Sequence, residues 1–371
     1  MDSVSFLDLI QSQFKKKHPF VAYRLPHSSS TKLLLQQEDT IFYAGDYKES
    51  GFIFAPFDTK NKSILIPTAK SESYEAILED FSVDEKDSVY DFESKEGKDS
   101  HIRLVNSGIN AIQKGFFEKV VLSRCETIAY SNNQPAAIFK QLLVHYKSAL
   151  VYLWYHPKVG LWLGASPEIL LKVENRRFET VSLAGTQPYN GTLDVSWKTK
   201  ELVEQDIVTN AIRHALGENV AHFHFSDLET VRAGNLLHLQ TKITGVLSSD
   251  LKIILDKLHP TPAVCGLPKD SAKAFILKNE NYNREFYTGF LGELNMKRNQ
   301  TRNINKRNVE NNAYSTVKNV CNLFVNLRCM QLKKDQALIY VGGGITEDSN
   351  SEFEWMETVS KTQTIKRVLL L

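Results

Sequence analysis

The sequence predicts an α+β protein. Three observations carry that prediction. Strand-like and helix-like runs both recur along the 371 residues, without the regular alternation that a βαβ protein would show. The strand-like runs, such as KVVL, ALVYLWYH and EILLKVE, are rich in β-branched and aromatic residues. The helix-like runs space their apolar residues at three and four and carry start or stop signals.

Hydrophobic residues make up 42% and charged residues 24%, the averages of a soluble globular protein. Lys plus Arg is 45 and Asp plus Glu 43, and a net charge of +2 argues against a dedicated nucleic-acid binder. With only 18 Gly and 11 Pro, collagen-like and low-complexity classes are excluded. The length admits two or three domains or one large one, with a core that needs no disulfide staples. Cys125, Cys265, Cys321 and Cys329 form no C-x-x-C pair and fit no zinc spacing, which suits a reducing compartment. The N-terminus, MDSVSFLDLIQSQFKKK, carries its charges in the wrong order for a signal peptide. No apolar run reaches the length of a membrane span, so a cytoplasmic protein is expected.

In chain order, SFLDLIQSQF reads as a surface helix, followed by strands at FVAYRL, TIFYAGD, GFIFAPF and KSILIP. Residues 82–100 are charge-rich and read as a surface linker. HIRLVNSGINAIQKG is a helix with a Gly stop, EKVVLSRCETIAY a strand, and PAAIFKQLLVHYKSA a helix opened by Pro. Strands follow at ALVYLWYH, GLWLGAS, EILLKVE and RRFETVSLAG, then a helix at SWKTKELVEQDIVTNAIRHALG. VRAGNLLHLQTKITGVL reads as strands, and 251–259 and 268–280 as helices. EFYTGFLGELN and NLFVNLRCMQL read as a strand pair around a polar, basic insertion at 297–316. That insertion lacks the interleaved aromatics of a single-strand binder and reads as a hairpin loop. QALIYVGGGI is a strand ending in glycines, and EFEWMETVSKTQTIKRVLL the last helix.

Several residue types stand where they could do chemistry. Glu354, Glu357 and Lys361 share one face of the last helix, as Glu201 and Glu204 do in KELVEQDIV. Such charges are commonly a solvated stripe. Two helices that each present Glu-x-x-Glu could instead clamp one Mg²⁺, which takes a few carboxylates plus water and substrate oxygens. Gly342, Gly343 and Gly344 read either as a tight turn or as backbone that lets an anionic ligand approach. Lys119 opens an apolar strand, where desolvation would lower its pKa and suit a base, or it blunts a strand end. Glu168 follows Pro167 before an apolar strand, where burial would keep it protonated as a general acid requires, or it is an exposed turn residue. Arg328 lies in the apolar run NLFVNLRC and needs an anionic partner, either a ligand carboxylate or a structural ion pair. His259, among Pro260, Pro262 and Gly266, is read as structural.

Eight ordered segments resemble the chorismate-utilising enzymes. They are FEKVVLSR (117–124), LGASPEILL (163–171), SLAGTQP (182–188), KELVEQDIV (200–208), LHPTPAVCGLP (258–268), REFYTGFLGEL (284–294), LFVNLRC (323–329) and YVGGGITEDSNSEFEWMETVSK (340–361). The form LHPTPAVCG is similar to the isochorismate synthase branch. Ala184 stands where aminodeoxychorismate synthases carry a lysine nucleophile.

The resemblance implies one large α+β domain over 1–371, with two antiparallel sheets face to face and helices outside. The motifs lie in 101–371, and 1–100 matches only loosely. It implies conversion of chorismate to isochorismate with Mg²⁺ as cofactor. Lys119 would activate water for attack at C2, and Glu168 would protonate the departing C4 hydroxyl. Glu204 and Glu357 would hold the Mg²⁺ that binds the ring carboxylate, supported by Glu201 and Glu354. Arg328 and the backbone at Gly344 would hold the enolpyruvyl carboxylate. Gly185 and Thr186 would line the ring, with Lys361 near the ring carboxylate and the metal. Chorismate is the one partner implied, with no nucleic acid, membrane or obligatory protein partner.

The sequence departs from the family pattern at Gln205, commonly His, at Gly343, commonly Ala, and in the insertion at 297–316. The competing activities are a salicylate synthase, which goes on to eliminate pyruvate, and an anthranilate synthase large subunit, which needs a glutaminase partner. A non-catalytic chorismate-binding protein is disfavoured by the retained acid–base pair. Whether the product serves menaquinone or siderophore biosynthesis is not written in the sequence.

Overall fold

The structure, a computed structural model, describes residues 2–78, 97–131, 134–233, 236–301 and 315–369. The first part contains α1 (Ser3–Lys15), β1 (Phe20–Arg24), β2 (Ser30–Gln36), β3 (Phe42–Ala44), β4 (Gly51–Ala55), β5 (Ser63–Pro67) and β6 (Ser71–Ile77). The middle runs α2 (Lys98–Gln113), β7 (Lys119–Ala129), α3 (Pro135–His145), β8 (Leu150–His156), β9 (Gly160–Ser166), β10 (Ile169–Glu174), β11 (Arg177–Pro188) and α4 (Thr199–Leu216). After it come β12 (Val220–Phe225), β13 (Glu229–Ala233), β14 (Leu236–Leu247), α5 (Leu251–Leu258), β15 (Gly266–Leu267) and α6 (Lys269–Asn279). The chain closes with β16 (Phe290–Thr301), β17 (Ser315–Val325), β18 (Cys329–Lys333), β19 (Gln336–Ile345) and α7 (Ser351–Lys366).

The expected α+β class is the observed one. One sheet has nine strands in the order β15-β7-β19-β18-β9-β8-β1-β2-β6. The other has ten, in the order β12-β14-β11-β10-β17-β16-β4-β5-β3, with β13 also paired to β14. The described pairings are antiparallel, including β7 with β19 and β16 with β17.

Period-two alternation sends each strand's side chains to two different cores. In β1, Phe20 and Ala22 face a core shared with α1 and α3, while Val21 and Tyr23 face the second sheet. In β8, Val151 and Leu153 point to the helices, and Tyr152 and Trp154 to the second sheet. The layer between the sheets is aromatic, with Phe52, Phe54, Trp154, Trp162 and Phe324 almost fully buried. Each such side chain contributes roughly 1.5–3 kcal/mol. The outer face of the ten-stranded sheet packs on α4 and α5 through Val208, Ile212, Leu216, Ile254 and Leu258. α2 and α6 cover β7 through Val105, Ile112, Ala272 and Ile276.

The strands of the first hundred residues divide between the sheets: β1, β2 and β6 extend the first, and β3, β4 and β5 the second. β2, β6, β12 and β15 were not expected from the sequence. The expected linker at 82–100 lies outside the described residues as far as residue 96, and α2 starts at Lys98. The basic insertion enters and leaves through the paired ends Thr301 and Ser315, and its residues 302–314 lie outside the described residues. No helix among the described residues is long and apolar enough to cross a membrane.

Candidate active site

Three local features set the site. The first is β7, whose opening residue is Lys119, as expected. The second is a pair of crossovers between the sheets. β9 passes through Pro167 and Glu168 into β10, and β17 passes through Asn326, Leu327 and Arg328 into β18. Arg328 is therefore not inside a strand, as the apolar run suggested. It sits in the turn with φ of 47°, a left-handed conformation uncommon outside glycine. The third is the pair of helices that follow long strands, α4 after β11 and α7 after β19. Asn350 caps α7, its Oδ1 accepting from Glu352 N–H at 3.0 Å and Phe353 N–H at 3.2 Å.

These features enclose a cavity of about 190 Å³. Lys119, Glu168, Gly185, Thr186, Glu204, Arg328, Gly344, Glu357 and Lys361 all line it. The other two expected residues, Glu201 and Glu354, stand behind that lining. A Cβ built on Gly185 would meet the Glu201 Cβ at 3.1 Å, and one on Gly343 would meet Glu354 Oε2 at 3.1 Å. Glu354 Oε1 accepts from Ser349 Oγ at 2.8 Å.

Lys119 is 6% exposed, buried at the start of its strand as the sequence suggested. Its Nζ is hydrogen-bonded to Glu204 Oε1. Lys361 Nζ pairs with Glu357 Oε1 at 2.6 Å and donates to the Gly342 carbonyl at 3.1 Å. Glu168 makes no ion pair or side-chain hydrogen bond among the described residues. Burial pushes its carboxyl up to about 7, against the pull of Lys119, Arg328 and Lys361. Arg328 also has no carboxylate within ion-pair reach among the described residues, which removes the structural ion pair read as its alternative. Burial lowers its pKa, opposed by Tyr146 and Glu168.

Gly342, Gly343 and Gly344 are not a turn. They lie within β19, opposite Ser123, Leu122 and Val121 of β7. Their use is close approach: a Cβ on Gly344 would stand 3.2 Å from Lys119 Cε and 3.9 Å from Glu204 Oε1. Gly185 has φ of 67°, which glycine adopts freely, and it bends β11 where its pairing with β14 shifts register.

The donor set can be tested against a divalent cation. No group of three or more His, Cys, Asp or Glu among the described residues is arranged to cage a metal. Two carboxylates from two helices do line one cavity, beside bare glycine backbone. Behind them, Glu201 Oε2 is buried with no hydrogen-bond partner among the described residues. That set fits Mg²⁺, which binds through one or two carboxylates and completes its shell with water and ligand oxygens.

The cavity also recruits residues given no individual role from the sequence: His238, Tyr287, Thr288, Ala263 and Val264. His238 Nδ1 lies 2.9 Å from the Gly185 carbonyl, so that nitrogen carries the proton, and burial holds the imidazole below its ordinary pKa. A histidine in the strand-like run LLHLQT was the only signal for it. Gln205 turns away from the cavity. It is 1% exposed, and its Nε2 donates to the Ser182 carbonyl at 3.1 Å. His259 is structural, as read, with Nε2 3.1 Å from the Pro56 carbonyl.

Comparison with known proteins decides the family. Residues 58–301 match the family model described as chorismate binding enzyme, and residues 312–367 match a second model of the same description. The chain belongs to the chorismate binding enzymes. It is 28% identical over 265 residues to isochorismate synthase EntC of Escherichia coli (strain K12), a match covering 68% of this chain. That match spans 62% of EntC, less than two thirds of the relative's length. The fold is that of MenF, the menaquinone-specific isochorismate synthase from Escherichia coli. The TM-score is 0.76 at 20% identity, covering 100% of this chain and 92% of that one. DhbC from Bacillus anthracis has the same fold, with a TM-score of 0.73 at 21% identity over 98% of this chain and 99% of that one. Two face-to-face antiparallel sheets with outer helices are thus the architecture of this chorismate binding enzyme and of those structures.

Proposed function

We propose that this chorismate binding enzyme converts chorismate to isochorismate with Mg²⁺ bound. The observation that carries the reading is the single cavity that Lys119 and Glu168 both line, with the Glu168 carboxyl raised to about 7. Allylic displacement needs a base at the attacking water and an acid at the leaving oxygen in the same step. Lys119 Nζ takes a proton from water as the oxygen bonds to C2. The ring double bonds shift, the C4–O bond breaks, and Glu168 delivers its proton so that the C4 oxygen leaves as water. One water enters and one leaves, so the atoms balance as an isomerisation. The hydrogen bond to Glu204 gives the ammonium formed on Lys119 a carboxylate partner.

Arg328, which has no carboxylate within ion-pair reach among the described residues, is suited to the enolpyruvyl carboxylate through its planar fork, together with the Gly344 backbone. Glu204 and Glu357 would hold the metal, with Lys361 beside them and Glu201 and Glu354 behind. A Mg²⁺ held there would supply the positive charge that neutralises the second substrate carboxylate. Gly185 and Thr186 form the wall against the ring.

The reading is supported by the similarity to isochorismate synthase EntC and by alanine rather than lysine at position 184. Product analysis with purified protein, chorismate and Mg²⁺ tests it. Isochorismate is the expected sole product. Salicylate with pyruvate, or anthranilate formed only when ammonia is supplied, would replace this reading with another activity.

A further inference from the structure

One ion pair has no part in the proposed chemistry yet touches three walls of the cavity. Arg284 is 3% exposed, and all five of its N–H donors are used. Nε donates to Glu280 Oε2 at 2.8 Å, and Nη2 to Glu280 Oε1 at 2.5 Å and to the Val121 carbonyl at 2.7 Å. Nη1 donates to the Val264 carbonyl and to Thr288 Oγ1, each at 3.1 Å. Val121, Val264 and Thr288 all line the cavity, and they come from β7, the 259–265 loop and the turn into β16.

The pair also finishes a sheet edge. Among the described residues, β15 pairs only with Lys119 and Val120 of β7. The last backbone bond on that edge runs from Val121 N–H to the Cys265 carbonyl at 2.8 Å. Beyond it, side chains continue the ladder. Arg284 donates to the Val121 carbonyl, and Glu280 Oε1 accepts from Ser123 N–H and Oγ, each at 2.8 Å. At the other end of the fork, Thr288 has φ of 58°, a conformation that a β-branched residue holds only when its surroundings impose it. Arg284 on its hydroxyl, with the Asn326 carbonyl 2.9 Å from its N–H, imposes it.

We infer that the Glu280–Arg284 pair is a positioning device for the cavity. It stands in for a neighbouring strand along β7 beyond Val120 and holds the Val264 and Thr288 walls at a fixed distance from that strand. A buried ion pair is a weak source of stability compared with apolar packing of similar volume, so geometry is what this one supplies. Arginine is required because five donors in a rigid plane reach four residues at once. Lysine keeps the charge but has three donors on a flexible stem.

Arg284→Lys and Glu280→Gln test this by two readouts. Steady-state kinetics with chorismate and Mg²⁺ should show kcat reduced roughly 10- to 100-fold in each, as for a misplacement of about an ångström, with KM within about threefold. Amide hydrogen exchange should rise about tenfold or more at Ser123 while the amides of β8 keep their protection. Unchanged kcat and unchanged Ser123 exchange in either folded variant, with only a lower Tm, would mean a structural ion pair and overturn the inference. The kinetic readout rests on the proposed function and the exchange readout does not. A wild-type protein that converts no chorismate would sink the functional reading alone, and Ser123 exchange would still decide the positioning role.

Discussion

Glu168 and Arg328 occupy adjacent crossovers that are hydrogen-bonded to each other. The Glu168 carbonyl accepts from Val325 N–H at 3.0 Å, and the Arg328 carbonyl accepts from Ala165 N–H at 3.1 Å. Each residue is thus held by the segment that delivers the other. The proposed acid and the proposed carboxylate anchor keep their relative position because two segments crossing between the sheets lock together there.

Arg328→Ala should raise KM for chorismate by about 10- to 100-fold, the usual worth of a hydrogen bond to a charged group. Thermal stability should stay close to wild type, because no protein carboxylate among the described residues loses its partner. Steady-state kinetics and a melting curve read both. An unchanged KM with a large fall in Tm would place Arg328 in a structural role.

Glu168 makes activity and stability depend on pH in the same direction. Its role needs the proton, so kcat/KM should fall as pH rises through about 7. The ordinary value is 4.5 and the folded one about 7, so between them only the folded state holds the proton. Stability relative to Glu168→Gln should be greatest below pH 4.5 and decline as pH rises through 7. Denaturant midpoints of both proteins from pH 4 to 8 test this, and parallel curves would show that the carboxyl titrates normally.

The acidic helices were legible in the sequence because Glu-x-x-Glu spacing fixes a helix face whatever the tertiary fold. Lys119 was legible as the start of an apolar strand. Arg328 was misplaced because LFVNLRC is apolar apart from Asn326 and Arg328 itself, and one asparagine is too weak a local mark for the left-handed turn at which the chain changes sheets. The pairing of Lys119 with Glu204 joins residues 85 positions apart, and no local signal encodes it. The same limit hid the sheet order, since β1 pairs with β8 across more than a hundred residues. β1 and β8 are also buried on both faces, which erases the alternation that would have shown which side faced which core. β6 was missed for the opposite reason, being mostly polar on an exposed sheet edge.

Removal of divalent metal with EDTA should abolish turnover, and Mg²⁺ should restore it. Glu204→Ala and Glu357→Ala should each weaken Mg²⁺ binding measured by calorimetry in the presence of chorismate, by about tenfold or more for loss of a charged ligand. Wild-type Mg²⁺ affinity in either variant would remove that residue from the metal site.

Lys119→Ala should lower kcat by roughly 10²–10⁴, the worth of a positioned proton-transfer group. Chorismate binding should persist, since the proposed anchors are Arg328 and the metal. A near-normal kcat would show that another group activates the water.

In the proposed reaction the new hydroxyl comes from solvent. Turnover of chorismate in ¹⁸O-labelled water, with the first-formed isochorismate analysed by mass spectrometry, measures this directly. Attack of water at C2 with loss of the C4 hydroxyl is expected to place one ¹⁸O in every product molecule, at the C2 hydroxyl. Isochorismate that keeps only its original oxygen would mean that the C4 hydroxyl migrates within the substrate, and would contradict the roles assigned to Lys119 and Glu168.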